Sequence, residues 1–145
     1  MKWGAKTVVF SSVVLAMGFV SHAAAQTGVV RFEEMRRFPA PEALQGVAVD
    51  ENYFYAVSNR AIGKYEKKTG SPVKKWKGAP GGPFIHMDSG VVLGGRLYCA
   101  HSNFPATPMT SSIEIFDADA LEHVGSQSFG IFEGSATWVD RRDGF

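Results

Sequence analysis

The stretch Gln45-Gly-Val-Ala-Val-Asp-Glu-Asn-Tyr-Phe-Tyr-Ala-Val-Ser-Asn59 decides the reading of this chain, because it returns in altered form as Ser89 to Asn103. Gly46, Ala56, Ser58 and Asn59 recur as Gly90, Ala100, Ser102 and Asn103 at a spacing of 44 residues, and Glu133-Gly134 opens a third copy another 44 on. Inside each copy, runs rich in aromatic and β-branched residues alternate with turn residues, the pattern of short strands joined by tight turns. The first copy predicts strands at 46–50, 53–58, 62–66 and 73–77, with turns at Asp50-Glu51-Asn52 and Thr69-Gly70-Ser71-Pro72. The second predicts them at 90–93, 96–102, 113–117 and 124–129 around a Gly94-Gly95 turn. The third-strand pattern Ile62-x-x-Tyr65-Glu66 matches Ile113-x-x-Phe116-Asp117 at a spacing of 51, and the extra residues fall in Phe104 to Thr110, a loop by its prolines.

A repeat of about 40 to 45 residues with four short strands is the signature of a β-propeller blade, whose faces are buried only against its neighbours. The expected fold is therefore all-β, with each blade a four-stranded antiparallel meander: blade one at 45–88, blade two at 89–132, and the start of blade three at 133–145. The third first strand is placed at 135–139. Because a propeller closes a ring with at least about 4 blades, two blades and a first strand read as truncated from a larger ring, whose remaining blades would be partners; a complete small sheet protein is the alternative. Val49, Phe54, Val91, Leu93, Ile113 and Ile115 are expected between the blades or inside their sheets, with Trp76 and Trp138 as packing aromatics.

Residues 1–25 read as a signal peptide. Lys2 and Lys6 form a basic start, Thr7 to Val20 is mostly apolar, and Ala23-Ala24-Ala25 has the small-residue pattern of a cleavage site. A membrane anchor is the alternative, but a span needs about 20 apolar residues. The mature chain would begin near Gln26, be periplasmic or secreted, and keep no stable membrane span. Removing Lys2 and Lys6 from the 15 basic residues leaves 13 against 14 acidic ones, so the formal charge moves from +1 to −1. No nucleic-acid partner is implied, since the one basic cluster, Lys64, Lys67, Lys68, Lys74, Lys75 and Lys77, reads as solvated lysines that discourage sheet-to-sheet pairing. Cys99 has no intrachain partner and reads as a buried small apolar residue. Residues 26–44 form a lead-in in which Pro39 and Pro41 stop any helix.

The pattern Ile-x-x-Phe-Asp-Ala-x-Ala-Leu of Ile113 to Leu121, with Tyr-Glu-x-x-Thr-Gly at Tyr65 to Gly70, resembles blades of the secreted bacterial propellers grouped as NHL, YVTN and lactonase or cycloisomerase-like families. Leu97 to Asp117, with Cys99-Ala100-His101-Ser102-Asn103 and Pro108-Met109-Thr110-Ser111-Ser112, is similar to a bacterial group labelled cycloisomerase. The resemblance covers Gln45 to Phe145. It implies a propeller fold and, as one possible chemistry, a divalent cation held by oxygens at the channel mouth.

In a four-stranded meander the loops that enter strand one and leave strand two emerge on one side, and candidate residues gather there. His86 and His101 are the candidate acid/base groups, since imidazole titrates near neutral pH. His101 stands where the first copy has Val57, a difference less easily explained by upkeep of the fold; the alternative for His86, His101 and Asp88 is that they hydrogen-bond loop backbone or neighbouring strands. Gln45, Ser89 and Glu133 each precede a repeat glycine and, with Asn103, are candidate ligand-binding residues; Asn59 and Asn103 also suit turns. Asp88 and Glu133 are candidate metal ligands, for Ca²⁺ if oxygens dominate or Zn²⁺ if both imidazoles bind. No nucleophile elbow, phosphate loop or cysteine knuckle is present. Two functions are implied: an exported repeat protein that binds a small molecule or an envelope or protein partner at these loops, or a lactonase or cycloisomerase-like enzyme.

Overall fold

The structure, a computed structural model, describes residues 30–143. The expected signal peptide lies outside the described residues. The chain divides into two units after Met35, and the unit from Arg36 onward carries every strand among the described residues. It is all-β. Strands β1 (Gly46–Val49), β2 (Tyr53–Ser58), β3 (Ala61–Glu66) and β4 (Pro72–Lys77) form one antiparallel sheet in chain order; β5 (His86–Leu93), β6 (Arg96–Ser102), β7 (Thr110–Asp117) and β8 (Glu122–Ile131) form a second. No helix occurs among the described residues, and so none long and apolar enough to cross a membrane.

The turns explain the meander. Asp50 accepts the N–H groups of Asn52 and Tyr53 at 2.8 and 2.7 Å, an Asx turn that folds β1 back into β2. Asp117 does the same for Asp119 and Ala120 between β7 and β8, at 3.0 and 2.8 Å. Between β5 and β6, Gly94 and Gly95 take φ of +55° and +75°, the left-handed pair that a two-residue hairpin needs.

The sheets pack face to face, and their closest approach runs along β1 and β5. A Cβ on Gly46 would lie 2.6 Å from the Ser89 Cα, so only glycine lets these first strands come so near. The core between them holds Ala48, Tyr55, Val57 and Ile62 from the first sheet and Met87, Leu97, Cys99 and Phe116 from the second. Trp76 packs edge-on to Phe84 and Phe116 with centroids 4.8 Å apart. At one end Lys64 is buried; its Nζ donates to the Ala118 carbonyl at 2.9 Å and lies 4.1 Å from the Tyr53 ring centroid. The Tyr55 hydroxyl reaches the same carbonyl at 3.0 Å.

Several sequence expectations change. The strands come where the pattern places them, but β5 begins at His86, which puts His86 and Asp88 inside a strand. Residues 135–139 form no strand. Lys64 belongs to the core rather than to the solvated lysines. Trp138 is exposed. Val49 is exposed too, Phe54 lies under the lead-in, and Val91, Leu93, Ile113 and Ile115 are half-buried on the face of the second sheet that points away from the first.

One cause underlies the misplaced core. Val57 stands opposite Ile62, and Ala100 stands opposite Ile113. Since Ile62 and Ile113 are matched third-strand residues, the spatial counterpart of Val57 is Ala100, at a spacing of 43 rather than 44. A one-residue slip carries every side chain of a strand to its other face. Residues matched at 44 therefore face opposite ways: Tyr55 points at the second sheet and Cys99 points back at the first.

Candidate functional site

Two polar groupings flank the β5–β6 ladder. The first is set by a bulge. Met87 pairs with His101 and Gly90 with Cys99, so Asp88 and Ser89 together stand opposite Ala100. The bulge buries Asp88 to 7% exposure, where its Oδ2 has no hydrogen-bond partner. The nearest basic atom is His86 Nε2 at 3.5 Å, and His86, at 18% exposure, is the pair's contact with solvent. Burial pushes the Asp88 carboxyl above the ordinary carboxylate range, and the neighbouring His86 and His101 offset only part of that. Phe104 covers the His86 ring with centroids 5.2 Å apart. Ser89 donates from its backbone N–H and its hydroxyl to the Thr137 carbonyl, at 3.3 and 3.1 Å.

The second grouping lies on the opposite face, between the sheets. His86 pairs with Ser102 and Met87 with His101, so alternation sends the His86 and His101 side chains to different faces. His101 Nε2 accepts the Ile85 N–H at 3.3 Å, which assigns the ring proton to Nδ1. Nδ1 then donates to Ser112 Oγ at 3.0 Å, and Ser112 donates to Glu114 Oε1 at 2.7 Å. Ser126 donates to the same oxygen at 2.9 Å, and His123 Nε2 to Oε2 at 2.8 Å. Burial works against the Glu114 charge, but the hydrogen bonds from Ser112, Ser126 and His123 win and hold its carboxyl below the usual value. Burial also lowers the pKa of His101, with Glu114 opposing it, which favours the neutral ring. Phe84 closes this network edge-on to His101 and His123.

The direction of the protons decides what this second grouping can do. In a nucleophilic triad the histidine accepts the serine proton. Here Ser112 gives its proton to Glu114 and receives one from His101, so Ser112 is not activated. The network ties β6, β7 and β8 to one another and to Ile85, the residue just before β5.

The remaining candidates separate. Gln45 Nε2 donates to Asn59 Oδ1 at 2.5 Å on the surface, and the Asn59 carbonyl accepts the Met87 N–H at 3.0 Å. Asn103 staples the loop after β6: its amide donates to the Pro108 carbonyl at 3.0 Å and its Oδ1 accepts the Thr110 N–H at 2.7 Å. Glu133 is exposed, and the residue of that stretch bonded to Ser89 is Thr137. Among the described residues no group of three or more His, Cys, Asp or Glu is arranged to hold a metal ion. At the other end of the sheets, a cleft of about 470 Å³ is lined by Asp50, Tyr53, Arg96 and Asp117. Asp50 and Asp117 there are saturated by their turns, by Tyr55 and by Arg96.

Sequence reasoning missed Ser112, Glu114 and His123. The available signal was Ile113-Glu114-Ile115, a carboxylate between two β-branched residues in a strand with both faces partly covered. The chain matches no family model, and no curated protein is similar enough to count as a relative.

Proposed function

We propose that this chain supplies blades of an exported β-propeller of the NHL, YVTN or lactonase-like kind, which binds a small molecule or an envelope partner at the β5 bulge. The observation that carries the reading is Asp88, a buried carboxylate oxygen without a hydrogen-bond donor beside a solvent-touching histidine. Buried polar atoms are nearly always partnered, so an orphan marks a place where a donor fits. A ligand with an amine or hydroxyl group has the chemistry to supply one. Face-to-face meanders that approach along their first strands also suit a blade arrangement.

The test follows the His86 ring by NMR while a panel of small amines and polyols is added to the full chain. Binding at the bulge shifts the His86 resonances of the wild type and leaves Asp88→Asn unmoved. Equal shifts in both, or none with any compound, would remove this reading. Export has its own test: mass spectrometry of protein from a secreting host should find Gln26 at the N-terminus.

The second reading is a lactonase or cycloisomerase-like enzyme. It is favoured by the pairing of a carboxyl raised above its ordinary pKa with an imidazole 3.5 Å away, the two groups of an acid/base couple. Turnover of a lactone panel that Asp88→Asn and His86→Gln both abolish would select it.

A further inference from the structure

The connection from β4 to β5, Gly78 to Ile85, carries no charged side chain and is held in place by its one aromatic residue. The Phe84 ring packs edge-on against Trp76 at 4.8 Å, His123 at 4.9 Å and His101 at 6.2 Å. Two backbone donors then fix the entry to β5. The Met87 N–H donates to the Asn59 carbonyl at 3.0 Å, and the Ile85 N–H donates to His101 Nε2 at 3.3 Å. The first acceptor is a peptide oxygen, indifferent to pH. The second is a ring nitrogen that accepts only while it carries no proton. The two sides of that ring respond differently to acid. Nδ1 already donates to Ser112, so its bond is the same in the neutral and the charged ring. Nε2 takes the added proton and then stands as a donor 3.3 Å from a second donor. The Pro83 carbonyl, two residues before Ile85, is placed to accept from the charged ring. One nitrogen thus has two alternative partners on one short segment, an N–H when neutral and a carbonyl when protonated.

We propose that His101 is a proton-operated latch on the entry to β5: protonation releases the Ile85 N–H and reseats residues 83–85 with the Pro83 carbonyl on Nε2. Phe84 lies between the two partners in the chain, so the same step moves its ring against Trp76. His86 follows Ile85 directly, so the movement also reaches the histidine of the bulge. The charged and titratable groups around His101 set where the latch trips. Glu114 on β7, with Oε1 3.7 Å from Nδ1, favours the charged ring, as does Asp88 on β5, while burial and His86 oppose it. His123 on β8 bonds to the other oxygen of Glu114, and the first sheet reaches this place with Trp76, which is neutral. Burial is the largest of these effects, so the latch trips below the ordinary imidazole value of about 6.5. Above it the segment is closed. The latch belongs to the chain without ligand and stands apart from binding at the bulge.

An NMR titration of the full chain from about pH 8 into acid tests it, following the His101 ring, the Ile85 amide and the Trp76 indole together. All three should move with one midpoint below about 6.5. Across that midpoint the protection of the Ile85 amide against hydrogen exchange, corrected for the intrinsic rate, should fall about fivefold to tenfold, the worth of one hydrogen bond. The Met87 amide should keep its protection. His101→Gln, whose amide oxygen accepts at any pH, should hold the Ile85 amide protected and abolish the step, whereas His86→Gln and His123→Gln should retain it. Near-UV circular dichroism checks that the variants fold, and should His101→Gln not fold, the shared midpoint in the wild type still decides. An Ile85 amide that ignores the His101 titration, a step that survives in folded His101→Gln or follows His86 or His123 instead, or a His101 ring that stays neutral until the chain unfolds would overturn it.

Discussion

Replacing Glu114 with glutamine removes one charge and almost no volume from between the sheets, and its cost follows from the bonds it accepts. Three donors point at the carboxylate: Ser112 at 2.7 Å, Ser126 at 2.9 Å and His123 at 2.8 Å. A hydrogen bond to a charged group contributes about 1.5–3 kcal/mol and one between neutral groups about 0.5–1.5 kcal/mol. Losing the charge therefore removes about 1 kcal/mol at each donor, and the variant should be about 2–3 kcal/mol less stable in urea denaturation at pH 7. The pH dependence separates this from a general packing defect. Glu114 has a folded pKa below its unfolded value of about 4.3, so its contribution is complete above that pH and is lost as pH falls through the folded pKa. His101 is also lowered, from about 6.5, and as a group buried neutral it stabilises above that value and loses its contribution as pH falls toward the folded pKa. Wild type should thus lose stability in two acid stages. Glu114→Gln should keep the upper stage, set by His101, and show a smaller lower one, to which Glu42, Asp50 and Asp117, also lowered, still contribute. A variant within about 0.5 kcal/mol of wild type at pH 7, or one with an unchanged lower stage, would refute the reasoning.

Other expectations test the placement of the core. Phe116→Ala, fully buried between the sheets, should cost about 3–5 kcal/mol, whereas Val49→Ala, at 56% exposure, should change stability by less than about 0.5 kcal/mol; denaturant midpoints that rank them the other way would reverse the assignment of faces. Lys64→Met keeps the buried stem and removes the hydrogen bond to Ala118, for a loss of about 1–3 kcal/mol in thermal or urea unfolding. Cys99, whose thiol burial pushes up to about 12, should resist alkylation at pH 8 in the folded chain and react once urea unfolds it.

The strand pattern was legible because its signals are local. Asp50, Gly94-Gly95 and the aromatic run Tyr53-Phe54-Tyr55 each fix a turn or a strand by themselves. Which face is buried was not legible, because the letters that recur most plainly, Gly46 with Gly90 and Ser58-Asn59 with Ser102-Asn103, sit one residue out of spatial register. That slip also undoes the contrast between His101 and Val57, since the ladder sets Val57 against Ala100. The site was half legible. His86 and Asp88 are adjacent in space because they lie two residues apart on one strand, while Glu114 gathers its partners from β6, β7 and β8, and no spacing in the chain announces that meeting. Lys64 was misread because a lysine among lysines looks solvated until a carbonyl from the other sheet is placed above it.

That carbonyl has a consequence for how the molecule comes together. Every strand pairs with its neighbour in the chain, so the hairpins can form from nearby residues with little loop to close. The Ala118 carbonyl, by contrast, is reached by Tyr55 and Lys64 from 63 and 54 residues away. Side chains that meet over such long separations suit the last step of assembly, when two finished sheets settle on each other. Substitutions at Lys64 should then speed unfolding and leave the refolding rate nearly unchanged, whereas changes in the Gly94-Gly95 turn should slow refolding.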